Sequence, residues 1–423
     1  MKKNLLLSLA LGAVTGFAPL AVVAAGSMAP AAAATAAAMP LGSVKTMDDA
    51  LAAIKKKDVA KAFEKVKSGE VGLNTCFYGV YTPLSYAASI GNRDLVAFFL
   101  SQGADVNGVD AQKANSVGSV TMAVSANKPE LVKELVKAGA DVNLLAGYEP
   151  PFVRAAMAQN IPMMKLLVEL GADPKGVDKE GRNALMMGMR RNGITLGGED
   201  FLGVADYLID TCGLDPNAKD DKGQTAIMHA CIFLSPQQLM KFIDKGADPT
   251  VKTSKEEGLV AFIVKSGTPK EALEQLKLLE KYNLDFNNGS NVKAPTPLYS
   301  VVCTNMKCTD SLPLVQYMVE HGARTDIGWG SAGYPLLYGA AGNNVADSAV
   351  LLQFLLDKKV GDVNEFSKQG ITALMNVKKP CMVEPLLKAG ADPTLKDKQG
   401  KTAYMRARDA KVKAAFEAAG IKE

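Results

Sequence analysis

The chain of 423 residues is longer than a single compact hydrophobic core usually supports. Its 48 basic and 44 acidic residues give a formal net charge of +4, which argues against a nucleic-acid binder with a concentrated basic face. Two histidines and 6% aromatic residues leave little material for a histidine-rich metal site, so we expect neither a metal nor a cofactor.

The first 25 residues have the layout of a cleavable secretory signal. Residues 1–4 are basic, residues 5–23 are apolar and uncharged, and small residues end the segment at Ala25. The apolar run could also be a retained membrane anchor, but its glycines and Pro19 weaken that interpretation. We therefore predict cleavage after Ala25, no membrane insertion of the mature chain, and a periplasmic protein, with secretion beyond the cell as the alternative.

A flexible linker is predicted next, because residues 26–47 are mostly alanine and hold too little bulky apolar surface to pack. From residue 48 to residue 423 a repeat dominates the sequence. A Gly-Ala-Asp motif recurs in full at Gly103, Gly139, Gly171, Gly246 and Gly390, and in degenerate form at Gly213, Asn283, Gly322 and Gly361. From Gly103 to Gly390 the average step is about 36 residues, since eight steps cover 287 residues.

A second signature precedes the motif at a constant distance. Thr82, Gly118, Pro150 and Thr225 each lie 21 residues before a motif glycine. Two short apolar runs separate the two signatures, as in Ser85–Ile90 and Leu95–Leu100, which predicts a pair of short antiparallel helices. Proline marks the predicted start of the second helix, where its missing N–H does no harm, at Pro129, Pro162, Pro236, Pro269 and Pro313.

These residues resemble the ankyrin repeats. Asp220–Ile227 (DDKGQTAI), Asp178–Leu185 (DKEGRNAL) and Asp397–Tyr404 (DKQGKTAY) are similar to the segment with which that family begins each repeat. The resemblance implies an all-α solenoid of about nine repeats with terminal caps and short β-hairpin fingers. It also implies recognition of another protein by the concave face of a monomer, without enzymatic activity.

Small residues support the stacking that the resemblance implies. Ala87-Ala88, Ala155-Ala156, Ala230-Cys231 and Gly339-Ala340 stand where neighbouring repeats would pack backbone to backbone. Three repeats depart from the pattern, because the distance from signature to glycine is 30 after Asn183, 26 after Thr296 and 18 after Thr372. The family's histidine after Thr-Pro-Leu is also missing, which predicts weaker caps on the first helices.

The cysteines leave alternatives open. Cys303 and Cys308 lie close enough in sequence for a local disulfide in an oxidising compartment, and free thiols are the other outcome. Cys231 occupies a small-residue packing position and is expected to be a buried thiol, although a bond to Cys212 is conceivable. Cys76 and Cys381 are expected to stay free.

The sequence holds few parts for catalysis. It lacks a Gly-x-Ser-x-Gly elbow, and both His229 and His321 have structural explanations, the latter at the C-terminal end of a helix. The one enzymatic hypothesis is a hydrolase with its site in the insertion Gly193–Phe201, using Glu199 or Asp200.

Aromatic residues near the predicted fingers are the candidate protein-binding residues, because exposed tyrosine and tryptophan often anchor partners. They are Phe77, Tyr78, Tyr81, Tyr148, Trp329 and Tyr334. The alternative is that each ring packs onto its own repeat. The compartment and the family together favour an inhibitor or immunity-like partner of an envelope hydrolase or toxin. A scaffold or protective factor for an envelope enzyme, including in oxidative-stress defence, and a secreted host-binding effector are the alternatives.

Overall fold

The computed structural model describes residues 49, 63–70, 72–77, 80–189, 201–265, 268–287, 295–303, 308–326, 333–343 and 348–422. The predicted signal (1–25) and linker (26–47) lie outside these residues. All described residues belong to one compact unit that spans residues 37–423.

Helix pairs follow one another along the described chain. The α-helices are α1 (Pro83–Ser89), α2 (Arg93–Ser101), α3 (Ser119–Ser125), α4 (Pro129–Lys137), α5 (Pro151–Met157), α6 (Ile161–Glu169), α7 (Ala184–Gly188), α8 (Phe201–Asp206), α9 (Ala226–Ala230), α10 (Pro236–Asp244), α11 (Leu259–Ile263), α12 (Pro269–Leu278), α13 (Pro297–Cys303), α14 (Cys308–Glu320), α15 (Leu336–Ala341), α16 (Ser348–Asp357), α17 (Val383–Lys388), α18 (Ala403–Arg406) and α19 (Ala410–Ala418). None of these helices is long and apolar enough to cross a membrane.

The second signature marks the start of the first helix in each pair. Thr82 caps α1 through its side-chain oxygen, which accepts the backbone N–H of Ser85, and the Ser85 hydroxyl in turn accepts the N–H of Thr82. Serine thus replaces the family's histidine without loss of the cap. The predicted weakening is found at Thr225, where Met228 takes that place and the buried threonine oxygen has no hydrogen-bond partner.

Neighbouring pairs stack through the predicted small residues. First helices pack on first helices, as α1 on α3, α3 on α5 and α5 on α7, and second helices pack likewise, as α12 on α14 and α14 on α16. Ala87, Ala88, Ala155 and Ala156 are completely buried. One hydrophobic core runs from Phe63 to Phe416, because no single pair can bury its own apolar face.

Asparagine side chains join consecutive repeats at the ends of the second helices. The Asn143 amide oxygen accepts the backbone N–H of Asp173 at 2.7 Å, and its nitrogen donates to the carbonyl of Gly171 at 3.1 Å. The oxygens of Asn74, Asn107, Asn217, Asn287 and Asn364 accept an equivalent N–H from the following repeat. The motif glycines reach this geometry with positive φ, and Asn283 replaces glycine there with a φ of 49°.

The irregular repeats also contain irregular helices. After α8 the chain continues as a π-helix, Tyr207–Thr211, in the repeat with the longest spacing. In the shortest repeat the first helix is reduced to one 3₁₀ turn, Leu374–Asn376, and a second 3₁₀ turn, Pro380–Met382, leads directly into α17. Pro313 was predicted to start a helix but lies inside α14, because additional residues form an N-terminal turn that begins at Cys308.

The predicted disulfide between Cys303 and Cys308 is not formed, and Cys303 carries a free thiol. Its sulfur lies against Gly339 of the next repeat, where a β-carbon would come within 2.2 Å of it. Burial of this thiol raises the pKa of Cys303 to about 12. The side chain is therefore part of the packing between repeats, while the side chain of Cys308 lies outside the described residues.

Candidate protein-binding surface

The fingers that precede the first helices are tight turns closed by a buried side chain. In one of them the Asp178 carboxylate accepts the backbone N–H groups of Glu180 and Arg182, both at 2.9 Å. Asp220 and Asp397 close their fingers in the same way. Across the described residues the only strand-like pairing in the fingers is two isolated bridges, one of them between Val177 and Asn183, because each turn has room for little more.

Backbone hydrogen bonds connect four pairs of neighbouring fingers. The carbonyl of Val80 accepts from Val117, that of Tyr148 from Lys179, that of Glu180 from Asp221 and that of Lys222 from Ser254, at 3.0–3.2 Å. The finger tips therefore form a row whose members are held in register. Such a row presents a preformed surface, which lowers the entropic cost of binding.

Basic side chains of the first helices contact the finger carboxylates. The residue four positions after the helix cap reaches the finger carboxylate, as Arg406 reaches Asp397 and His229 reaches Asp220, the latter at 3.2 Å. The N–H donors of the finger backbone and the guanidinium hold the pKa of Asp397 below its usual value. These groups are engaged in the structure of the finger.

Glu149 and Arg154 form an ion pair beneath the neighbouring finger. Burial raises the pKa of Glu149 despite the attraction of the guanidinium, because the carboxylate has lost most of its water. Glu149 follows Tyr148 directly in sequence, so this buried carboxylate anchors the chain next to the exposed ring.

The prediction that Phe77 is an exposed binding residue is wrong, because only 9% of its surface is exposed. Its centroid lies 5.3 Å from that of Phe63 and 5.8 Å from that of Tyr86, so it closes the N-terminal end of the core. Tyr81 is half-buried in the same cluster, with its centroid 6.2 Å from that of Tyr86. Phe77 therefore stabilises the fold and is not an exposed anchor.

Tyr334 is also half-buried, and it stacks on Tyr338 with the ring centroids 4.6 Å apart. Tyr78 and Trp329 lie outside the described residues. Of the four described aromatic candidates, three are therefore buried or half-buried.

Tyr148 is the predicted anchor that the structure leaves exposed, with half of its surface accessible. The Lys179 ammonium lies 5.9 Å from the centre of its ring and donates to the carbonyl of Ala114 at 2.7 Å. One lysine thus spans three successive fingers and holds the ring in place.

Two further exposed apolar side chains were not predicted from the sequence. Leu145 and Val177 are 43% and 44% exposed, and each lies four residues after the aspartate of its Gly-Ala-Asp motif. Because the carbonyl of Tyr148 accepts the N–H of Lys179, they belong to fingers in direct contact. We call Leu145, Tyr148 and Val177 the finger patch. An alignment of the repeats predicts that this position is exposed, because other repeats have a lysine there, at Lys219 and Lys252.

Phe366 takes the equivalent position in a later repeat and is 44% exposed. It lies far along the sequence from the finger patch and is not counted in it. Position within the repeat, and not aromatic character, is therefore the signal for exposure on the fingers.

The described residues contain no cluster of histidine, cysteine and carboxylate side chains that could hold a metal ion. His321 takes the helix-terminal place predicted for it, since its Nδ1 lies 2.7 Å from the carbonyl oxygen of Tyr317 in the last turn of α14. Glu199 and Asp200, the carboxylates of the hydrolase hypothesis, lie outside the described residues.

Family models agree with the helix pairs. A model of three ankyrin repeats matches residues 120–196, and a model of a single ankyrin repeat matches residues 81–111. The first of these ranges includes the part of the chain that carries the finger patch.

Curated proteins of several kinds are similar to parts of the chain. A putative ankyrin repeat protein R664 of Acanthamoeba polyphaga mimivirus is 35% identical over 97 residues, which cover 22% of this chain and 60% of the relative. The ankyrin repeat and SOCS box protein 6 of Mus musculus is 31% identical over 26% of each chain. The E3 ubiquitin-protein ligase KEG of Arabidopsis thaliana is 23% identical over 79% of this chain.

The chain spans between about a fifth and three fifths of the length of these relatives. The similarity therefore concerns the repeats and not the complete relatives. The chain contains ankyrin repeats, and its described helices form an all-α repeat solenoid.

Proposed function

We propose that this chain is a non-enzymatic binding protein that recognises another protein through the finger patch. Ankyrin repeats imply a protein-binding role. The observation that carries the proposal is the exposure of Leu145, Tyr148 and Val177 on fingers joined by backbone hydrogen bonds. Contiguous exposed apolar side chains on a rigid support are typical of interaction sites.

The compartment is proposed from the sequence of residues 1–25, which has the layout of a cleavable signal. Within the bacterial periplasm we propose an inhibitor or immunity-like role toward an envelope hydrolase or toxin. A scaffold or protective factor for an envelope enzyme and a secreted host-binding effector are the alternative roles. One stoichiometric partner in a periplasmic extract supports the inhibitor, several loosely bound proteins support the scaffold, and mature chain in the culture medium supports the effector.

The site is tested by comparing Tyr148→Ala with the unaltered chain in quantitative capture from a periplasmic extract. We expect the captured partner to be bound more weakly by about 2 kcal/mol, or roughly 30-fold, because an aromatic anchor loses most of its contact area. Leu145→Asp and Val177→Asp should weaken capture similarly.

The matched control is Val350→Asp on α16, since Val350 is 46% exposed but lies on a second helix and not on a finger. Equal capture by Tyr148→Ala, Val177→Asp and this control would place the partner elsewhere. Thermal unfolding of all variants separates lost binding from lost folding.

A further inference from the structure

A cleft of about 250 Å³ opens between the C-terminal ends of α12 and α14. Leu276, Leu279, Leu284 and Phe286 supply its apolar walls, and Glu280, Tyr317 and His321 are its titratable side chains. Pockets for drug-sized ligands usually exceed about 300 Å³, so this cleft is suited to a single side chain. It is formed by second helices and the segment that follows them, and none of its residues belongs to the finger patch.

Glu280 and a neutral His321 both present hydrogen-bond acceptors at the cleft, beside the Asn283 amide and the Tyr317 hydroxyl, which donates to the carbonyl of Leu276. The imidazole Nδ1 lies 2.7 Å from the carbonyl oxygen of Tyr317, so it carries the proton and donates. The ring stacks on Tyr317 with centroids 3.9 Å apart, which fixes its orientation. Its Nε2 lone pair then faces the Glu280 carboxylate at 3.4 Å.

When His321 is neutral, these two acceptors lie side by side at the edge of the cleft, so a cationic donor that reaches both is bound more favourably than water. Among the described residues, Glu280 forms no ion pair with a lysine or an arginine, and its one recorded partner is His321. The nearby Lys281 ammonium instead lies 5.0 Å from the centre of the Tyr282 ring. The local sequence therefore leaves a place for a cation from another molecule.

We propose that this cleft binds the guanidinium of an arginine side chain that belongs to a partner protein. A guanidinium is planar, carries several N–H donors in one plane and stacks on aromatic faces, so it can bridge Glu280 and His321 beside Phe286. The aliphatic stem of arginine lies along the leucine walls. The identity of the ligand as part of a protein rests on the proposed function, whereas recognition of the cation does not.

The test uses the fact that the chain has two histidines, His229 and His321. In full-length protein without a histidine tag, each imidazole gives one Hε1 signal in a ¹³C-histidine NMR spectrum. The probe is N-acetyl-arginine methylamide, titrated at about pH 8, where free histidine is neutral. We expect the His321 signal to shift with a Kd on the order of 1 mM, while the His229 signal stays in place.

Two comparisons give the test its specificity. The citrulline analogue has the shape of arginine without its charge, and we expect at least 10-fold weaker binding. Glu280→Gln should lose the response to the arginine probe, whereas Glu320→Gln, at an exposed carboxylate that ends α14 outside the cleft, should keep it.

A His321 signal that does not move with the arginine probe, or that moves equally with citrulline, overturns the proposal. These titrations contain no partner protein, so their failure leaves the finger patch untested and the proposed function standing. Conversely, if substitutions in the finger patch abolish capture of the partner, that result does not test whether the cleft binds a guanidinium.

Discussion

At the scale of single residues, the environment supplied by neighbouring repeats decides what a side chain does. Cys231 and Cys303 are both thiols within the core, where burial raises their pKa because the thiolate would lose its hydration. Cys381 is exposed at the shortest repeat. A reactive cysteine must form the thiolate and be reached by the reagent; Cys231 is buried and Cys303 is partly buried, and the raised pKa of each thiol disfavours the thiolate.

Iodoacetamide labelling followed by mass spectrometry should therefore separate these cysteines. In the folded protein we expect Cys381 to be alkylated rapidly, and Cys231 and Cys303 to be alkylated at least 100-fold more slowly. In denaturant without reductant all three should react. If Cys303 still resists alkylation there until a reductant is added, it is in a disulfide and the free thiol described above is wrong.

At the scale of structural elements, the asparagine bridges couple one helix pair to the next. They join the repeats continuously from Asn74 to Asp173, but the position of Asn143 is occupied by Lys175 in the following repeat. No asparagine amide among the described residues bridges that junction, which also carries the long insertion. The bridge from Asn143 therefore joins the two repeats that carry the finger patch, whereas the junction that follows Val177 has none in the described part of the chain.

Asn143→Ala removes both hydrogen bonds of one bridge, and we expect it to lower the free energy of unfolding by about 1–2 kcal/mol. The control is Lys175→Ala, the equivalent position without a bridge, which should change stability by less than about 0.5 kcal/mol. Urea denaturation followed by circular dichroism measures both. Equal effects of the two substitutions on the free energy of unfolding would mean that the bridge hydrogen bonds stabilise the fold no more than the hydrogen bonds to water that replace them.

At the scale of the whole molecule, each repeat of a solenoid contacts only its neighbours. The free energy of unfolding is therefore expected to be the sum of the stabilities of the single repeats and of the interfaces between them. The C-terminal repeats depend on α19, whose Val412 and Phe416 are buried against the preceding elements. The N-terminal end depends in the same way on Phe63 and Phe77. Loss of either end should open the stack from that side.

Phe416→Ala should cost about 3–5 kcal/mol in the C-terminal repeats, because a buried ring is replaced by a cavity. Hydrogen exchange should show lost protection in α17 to α19 and unchanged protection in α1 to α5. Lys411→Ala, at an exposed position of the same helix, is the control. A uniform loss of protection along the chain would contradict nearest-neighbour stability.

The repeat is predictable from the amino-acid sequence alone because its signals are local: a cap residue, a small residue at the contact, and a glycine or Asn283 at positive φ each act within a few positions. Exposure was decided by tertiary structure. Phe77 is predicted to be a finger anchor, but its ring is buried against Phe63. Leu145 belongs to an exposed apolar patch because the next finger carries Val177. Cys303 likewise has its place because Gly339 of the next repeat leaves room for the sulfur. These contacts join residues that lie about 14 to 36 positions apart in sequence, and a side chain's burial depends on which neighbours the stack brings against it.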